Sequence, residues 1–200
     1  MAFFNQVGGG GFQPKRKFRF LVSFSNLQNL TFMTKTAEKP NYDMASTEHN
    51  VLNHVFKFPG VVKWEDVSVS FIDAVDPNTG SKFYNALRNA GYVLPTSPDA
   101  LTHGVTKVSS HASLGLVKIR QLDGGGIIPI DGVDPGDQAF TALDSPDIVD
   151  EWTLHNAFIK SVKFGDLAYD SEEIIQIDVG LVYDYASYSG TAVQYNASVT

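Results

Sequence analysis

The sequence contains no cysteine among its 200 residues. Disulfide bonds and thiolate chemistry are therefore excluded, and we expect a compartment that is not oxidising. No apolar run approaches the roughly 18 residues of a membrane-spanning helix, so we expect no membrane span. The first twelve residues lack the basic start and long apolar run of a signal peptide, so we also expect no secretion signal.

Charged residues are scarce and unevenly distributed. They make up 18% of the chain, below the roughly 25% of a typical globular protein, which suggests a surface partly covered by partners. Residues 1–66 contain eight Lys and Arg against five Asp and Glu, whereas residues 67–200 contain seven against seventeen. Clustered basic residues that would grip nucleic acid are therefore not expected. This asymmetry would steer copies together head to tail, although acidic loops that are simply solvated would explain it equally well.

Motifs of enzymes and metal sites are missing as well. The five histidines show no metal-binding spacing such as HExxH. Asp131, Asp134 and Asp137 recur every three residues but do not match a calcium loop, and residues 124–126 are glycines that precede no predicted helix and so form no phosphate cradle. No GxSxG nucleophile motif occurs. We therefore predict no catalytic, metal-binding or cofactor-binding residues, and no cofactor.

The sequence is rich in alternating strands, with 12% aromatic residues. In Glu173–Tyr185, alternate positions from Ile175 to Tyr185 are all apolar or aromatic, which predicts one long half-buried strand. Such a strand would span roughly 40 Å at about 3.3 Å per residue. This length suits the wall of a barrel or tube better than a small sandwich.

The first quarter of the chain predicts a hairpin, a loop and a further strand. Residues 17–24 and 30–36 have the pattern of two hairpin strands. Residues 37–47, which contain Pro40, are predicted to form a loop. Residues 49–57 predict a strand with neither face strongly apolar, which suits an inter-subunit sheet or a water-filled channel.

The next segment predicts a turn, a strand and a helix. Pro59 and Gly60 indicate the turn, and residues 61–73 predict a strand with one small, serine-rich polar face. A short helix is predicted to open at residues 76–80 and to end at Gly91. Its aromatic stripe is interpreted as core.

The second half predicts strands separated by long insertions. Residues 92–110 and 123–151 are predicted as inserted loops, residues 111–122 as a strand, and residues 152–164 as a bent or bulged strand. The predicted organisation is a flexible N-terminal arm at 1–16, a β domain at 17–186 and a polar C-terminal tail at 187–200.

Three segments carry the most distinctive patterns. They are FRFLVSF followed by LTFMTKTAEKP, then WEDVSVSFID followed by the helix around FYNAL, and finally WTLHNAFIKSVKFGDLAYDSEEIIQIDVGLVYDYASY. The last contains the run F-x-x-SV-x-F-G-x-L-x-Y-x-x-E and is the most specific. Together these segments, about half of the chain, resemble the major tail tube proteins of contractile-tailed bacteriophages, the myovirus tail tube family.

The resemblance implies a mainly β fold of two packed antiparallel sheets with one flanking short α-helix. Six copies would close into a ring-shaped β-barrel, and hexameric rings would stack into a tube. The implied function is structural, not enzymatic, as the conduit for DNA ejection. The implied partners are the tail sheath, tape-measure, baseplate and tail terminator proteins, and DNA would pass without specific binding. The implied location is the virion, with the host cytoplasm during assembly.

The candidate residues for contacts between subunits are apolar side chains in segments without a strongly apolar face. They are Pro40, Tyr42, Met44, Phe56 and Phe58. An acidic or neutral channel is further expected to repel DNA phosphates, because acidic residues predominate after residue 66.

Two alternatives remain open at this stage. A baseplate tube initiator or the tube protein of a bacterial injection system would share the fold. From another class, the chain could be a β-sandwich carbohydrate-binding or hydrolytic module in which Trp64 and Trp152 stack on sugars; their position within alternating strands favours core packing instead.

Overall fold

A computed structural model describes residues 15–27, 30–96, 98–102, 104–122, 148–170 and 172–190. These residues form ten β-strands and two α-helices. In chain order they are β1 (Phe20–Phe24), β2 (Thr34–Ala37), β3 (Tyr42–Val51), β4 (His54–Trp64), β5 (Val67–Ile72), α1 (Thr79–Asn89), α2 (Lys107–Leu114), β6 (Val117–Leu122), β7 (Ile148–His155), β8 (Phe158–Lys163), β9 (Gln176–Val182) and β10 (Tyr185–Gly190). Residues 1–14 of the predicted arm 1–16, residues 123–147 of the predicted insertion 123–151 and the last ten residues lie outside the described residues. The end of that insertion is wrong, because β7 begins at Ile148 within it.

Two four-stranded antiparallel sheets form the body of the molecule. Sheet A has the order β1-β6-β7-β10 and sheet B the order β2-β5-β9-β8. Their inner faces pack together, with the rings of Phe24 in sheet A and Phe71 in sheet B 5.8 Å apart. Alternate residues of β5 and β9 are buried in this core, as period-two patterning requires. The predicted class, two packed antiparallel sheets, is confirmed.

The first predicted hairpin is wrong. β1 pairs with β6 in sheet A, whereas β2 pairs with β5 in sheet B. Leu27 and Leu30 between them are buried in the common core, so the connection crosses from one sheet to the other. Because these two leucines are buried in the core, the segment does not form the hairpin turn that the sequence predicts.

Residues 42–64 form a separate hairpin, and several predictions here are wrong. β3 begins at Tyr42, inside the predicted loop, and Leu52, with φ 53°, lies at the tip of the hairpin within the predicted strand 49–57. Pro59 and Gly60 form no turn but lie within β4, where the register shifts opposite β3. Proline lacks an N–H, and a bulge in a strand with a free edge accommodates that loss.

Helix α1 confirms the predicted helix. Asn78 caps its start, because the side-chain oxygen accepts a hydrogen bond from the Ser81 N–H at 2.7 Å. Phe83 is buried with its ring 5.1 Å from Phe71. Gly91 ends the helix with φ 105°, a conformation that favours glycine.

Helix α2 was not predicted, so two helices flank the sheets rather than one. It occupies the end of the predicted insertion 92–110 and the start of the predicted strand 111–122, which begins only at Val117. Thr106 and Ser109 form a capping box that starts the helix. The N3 position of this capping box is serine, where glutamate or glutamine is usual. The sequence therefore gives only a weak indication that a helix starts here.

Two of the three longest predicted strands divide between sheets A and B. Residues 173–185 contain β9 of sheet B and the start of β10 of sheet A, and residues 152–164 contain the second half of β7 of sheet A and all of β8 of sheet B. Asn156, with φ 56°, breaks the second of these. The Asn156 amide donates to Asp184 at 2.8 Å, which joins the two crossing points. The predicted polar tail at 187–200 also begins as strand, because β10 continues to Gly190.

Candidate assembly surface

The β3–β4 hairpin is an arm whose surface is open along its whole length. Its two strands have ten and eleven residues and pair only with each other among the described strands. Every residue from Tyr42 to Lys63 is exposed. Ten residues of strand extend about 33 Å, and an isolated two-stranded hairpin is at best marginally stable in water. The arm is therefore expected to gain stability from a partner.

The structure places four of the five predicted interface residues on this arm. Tyr42, Met44, Phe56 and Phe58 are between 48% and 59% exposed. Pro40 differs, because it is buried just before the hairpin. Exposed aromatic and aliphatic side chains are thus grouped on one element, a pattern that is typical of interaction surfaces.

The four exposed residues lie on two faces of the arm. Tyr42 and Met44 pair with Trp64 and Val62 near its base. Phe56 pairs with His49 and therefore lies on the opposite face, together with its second neighbour along the strand, Phe58. The arm thus has an apolar patch at its base and another toward its tip.

Sequence reasoning missed five further apolar residues of the arm. Leu52 is 97% exposed at the tip, and the others are exposed valines: Val51, Val55, Val61 and Val62. Leu52 could not be identified from the sequence, because a residue at the tip of a hairpin is not part of the alternating pattern of a strand. The polar face of the distal half carries an ion pair between Glu48 and Lys57 at 3.1 Å. The opposite face of this half carries the exposed rings of Phe56 and Phe58.

The base of the arm is fixed to the sandwich. The Trp64 ring lies 5.4 Å from Tyr42 and 6.0 Å from Tyr183, which is buried in the core. The Glu65 N–H donates to the Asn41 carbonyl at 2.9 Å. Burial, with the nearby charges of Asp66 and Glu65, raises the pKa of Tyr183 to about 12. The arm therefore projects from a well-packed anchor.

The outer face of sheet B is a second surface of unusual composition. Its residues are small or polar: Thr36, Glu38, Ser68, Ser70, Ser161, Lys163, Asp178 and Gly180. The Ser70 hydroxyl donates to Asp178 at 2.5 Å. The predicted serine-rich face of residues 61–73 is thus on the outside of the sheet. β2 and β8 are the edge strands of this sheet, without a further strand partner in the described part of the chain.

Asp150 is the centre of a buried polar network at one end of the sandwich. Its side chain is 5% exposed, accepts from Lys15 at 2.5 Å and lies 3.7 Å from Lys39. The Tyr188 hydroxyl donates to its other oxygen at 2.6 Å. Burial opposes ionisation, but these hydrogen bonds and lysine charges outweigh it and hold the pKa of Asp150 below its usual range. A carboxylate this well paired stabilises the fold rather than performing chemistry.

Other classes of site find no support in the described residues. Within them no group of three or more His, Asp or Glu is placed to hold a metal ion, and no helix there is long and apolar enough to cross a membrane. Trp64 and Trp152 are only partly exposed, and both pack against the core. This packing gives both indoles a structural role in the core.

The chain has the fold of components of contractile injection particles. A chain in the cryo-EM structure of the sheath/tube terminator of an extracellular contractile injection system, PVC, in the extended state matches with a TM-score of 0.60 and 13% identity, over 90% of this chain and 99% of that one. A chain of the anti-feeding prophage tube-terminating cap matches at 0.59 and 16%, over 95% and 99%. A chain of the anti-feeding prophage baseplate matches at 0.57 and 16%, over 91% and 99%.

At these identities the likeness is one of fold alone. No protein-family model and no curated protein sequence matches this chain. The two packed sheets therefore belong to a fold that contractile injection particles use.

Proposed function

We propose that this chain is the structural subunit of a tail tube, in which hexameric rings stack to form the conduit for DNA ejection. The observation that carries the proposal is the β3–β4 arm, whose two strands pair only with each other in the described chain and expose Phe56 and Phe58. The fold shared with chains of contractile injection particles supports it. The role is structural, and no enzyme activity is proposed.

Sheet B supplies a means of closing a ring. Its strands alternate in direction from β2 at one edge to β8 at the other, so β8 of one copy would meet β2 of the next in antiparallel orientation. Pairing of edge strands satisfies their free N–H and C=O groups and removes the exposed edges. Four strands from each of six copies would then form one continuous barrel, the ring number coming from the resemblance.

The outer face of sheet B would line the channel. Its serines, threonine and glycine are small and hold water, and its charges nearly cancel, with Glu38 and Asp178 against Lys163. A surface without a basic cluster does not retain a phosphate backbone, so DNA would slide without specific binding. Neutralising Glu38 and Asp178 is expected to slow ejection from assembled particles, and an unchanged rate would count against a repelling channel.

The arm would dock onto a neighbouring copy or ring. Replacing Phe56 and Phe58 with Asp, or Tyr42 and Met44 with Asp, is expected to abolish assembly, because each pair brings two charges into a desolvated contact. Ser46→Asp with Asn50→Asp is the matched control for the Phe56 and Phe58 variant, since it adds the same charge to the polar face opposite Phe56. Pro40 is not included, because it is already buried within the chain.

Negative-stain electron microscopy over a range of concentrations and salt tests the proposal directly. The unmodified chain is expected to form rings or hollow tubes, the control to do the same, and the two apolar-to-Asp variants to remain small. A chain that stays monomeric at every concentration would contradict self-assembly into a tube. If the apolar-to-Asp variants assembled normally, the arm would lose its proposed role.

The proposed partners follow from the proposed role as a tail tube subunit. They are the sheath around the tube, the tape-measure protein within it, and the baseplate and tail terminator proteins at its ends, in the virion and, during assembly, in the host cytoplasm. A related candidate is an injection-system tube or a baseplate tube initiator, favoured by the likeness to chains from the anti-feeding prophage and PVC particles. DNA inside purified particles would favour the phage tail, and particles without DNA the injection system.

A further inference from the structure

A cleft of about 720 Å³ opens between β1 and β2 at one edge of the sandwich. Its walls include the apolar side chains of Phe20, Ile119 and Trp152. Four lysines also line it: Lys15, Lys17, Lys35 and Lys39. We name this site the basic cleft, defined by these seven residues.

The lysines of the basic cleft are not all neutralised within the chain. Lys15 and Lys39 face Asp150, the single carboxylate in the lining. Lys17 and Lys35 are exposed and have no hydrogen bond or ion pair with any other described residue. The cleft therefore presents a positive rim above an apolar floor, which suits a segment that is both acidic and apolar.

The connection between β8 and β9 has the complementary character. Residues 164–175, named here the acidic loop, contain no Lys or Arg and four acidic residues: Asp166, Asp170, Glu172 and Glu173. Between these acids, Leu167 is 85% exposed and Tyr169 fully exposed. Gly165, with φ 83°, fixes the start of the loop beside the Gln176 carbonyl. The segment is the F-G-x-L-x-Y-x-x-E part of the most distinctive sequence pattern.

We propose that the acidic loop of one copy docks into the basic cleft of a second copy. The loop and the cleft belong to opposite edges of sheet B, since β5 and β9 separate β2 from β8. A loop on one edge and a cleft on the other make a contact between unlike surfaces, which repeats from copy to copy. Leu167 or Tyr169 would fill the apolar floor while the acids meet Lys17 and Lys35. The inference rests on the proposed self-assembly and names one contact within it.

Because the chain has no cysteine, a pair of introduced cysteines reports this contact without background from native thiols. Tyr169→Cys in one preparation and Lys35→Cys in another are mixed at equal concentration under mild oxidation. A disulfide-linked heterodimer is expected in yields about tenfold above the control, because docking holds the two thiols close together. The matched control mixes Tyr169→Cys with Arg88→Cys, an exposed position on α1 far in sequence from the cleft. Equal yields in the two mixtures would overturn the proposal.

Reversal of the charges provides an independent test. Lys17→Glu with Lys35→Glu, and separately Asp166→Lys with Asp170→Lys, are each expected to lower particle yield by roughly tenfold, since each places like charges across the contact. All four substitutions in one chain are expected to restore the yield. A combined variant no better than the worse double variant would overturn the proposal. Thermal unfolding of each variant confirms that the subunit itself remains folded.

The outcomes separate this contact from the tube proposal. Cross-linked heterodimers without rings or tubes in the microscope would support the docking and overturn the tube. Tubes that form without the specific cross-link would support the tube and overturn the docking.

Discussion

The sandwich and the β3–β4 arm both contain alternating apolar residues, which are buried in the sandwich and exposed in the arm. In the sandwich, alternate residues of β5 and β9 are fully buried between two sheets. In the arm, aromatic residues such as Phe56 and Phe58 remain about half exposed. Alternation in a sequence therefore indicates which side chains share a face. It does not indicate whether the covering layer comes from the same chain or from another copy.

The largest expected effect separates the two regions by stability. Phe71→Ala removes a fully buried ring that packs against Phe24 and Phe83, and we expect it to lower the free energy of unfolding by about 3–5 kcal/mol. Phe56→Ala with Phe58→Ala should leave that free energy nearly unchanged while reducing assembly. Urea unfolding of both variants at low concentration measures the difference. Similar losses in both would mean that the arm is part of the cooperative core.

Substitution of two glycines provides a second comparison between the sandwich and the arm. A Cβ at Gly165 would lie 2.7 Å from the Gln176 carbonyl oxygen at a φ of 83°, so Gly165→Ala is expected to cost the sandwich about 1–3 kcal/mol. A Cβ at Gly60 would lie 2.9 Å from the Ala45 carbonyl oxygen, and this clash is confined to the arm. Gly60→Ala should therefore alter hydrogen exchange only in β3 and β4. A global loss of stability from Gly60→Ala would show that the arm and the sandwich are not independent in stability.

Acid should weaken the sandwich through Asp150. Its pKa is lowered in the folded state, so its contribution is present above the ordinary carboxyl pKa and is lost as pH falls through the lowered value. Asp150→Asn should cost about 1–3 kcal/mol at neutral pH, because the bonds from Lys15 and Tyr188 lose their charged acceptor. The variant should also lose stability less steeply in acid. A parallel pH profile for the two proteins would show that Asp150 is not the titrating group.

The smallest expected effect lies at the junction of the two regions. The buried Tyr183 hydroxyl has no hydrogen-bond partner among the described residues. Tyr183→Phe should therefore be neutral or stabilising by up to about 1 kcal/mol, since it removes a polar atom whose burial is uncompensated. Thermal unfolding of the variant measures this. A clear loss of stability would mean that the hydroxyl has a partner such as a bound water.

The sequence predicted the sandwich better than its connections. Burial of Ile177, Val179 and Leu181 and the helix capped by Asn78 followed from local patterns. The partners of β1 and β2 did not follow, because strand pairing depends on contacts distant in sequence. The tip of the arm at Leu52 was missed for a related reason, since a turn between two weakly patterned strands has no burial signal.

The candidate surface was predicted in part. Tyr42, Met44, Phe56 and Phe58 were singled out because apolar residues in weak patterns need an explanation, and all four are exposed on the arm. Pro40 was grouped with them by sequence proximity but is buried in its own chain. The basic cleft was beyond the reach of sequence reasoning, because Lys17, Lys35 and Trp152 come together only when the two sheets pack.

The double crossing between the sheets has a mechanical consequence. The chain passes from sheet A to sheet B near Asn156 and returns near Asp184, and an amide hydrogen bond joins the two crossings. A Lys107 salt bridge ties α2 to the same carboxylate. A shearing load on one sheet would therefore reach the other through covalent backbone as well as through the packed side chains of the core. In the proposed tube, a wall of such subunits would bend or compress as one plate rather than delaminate under axial force.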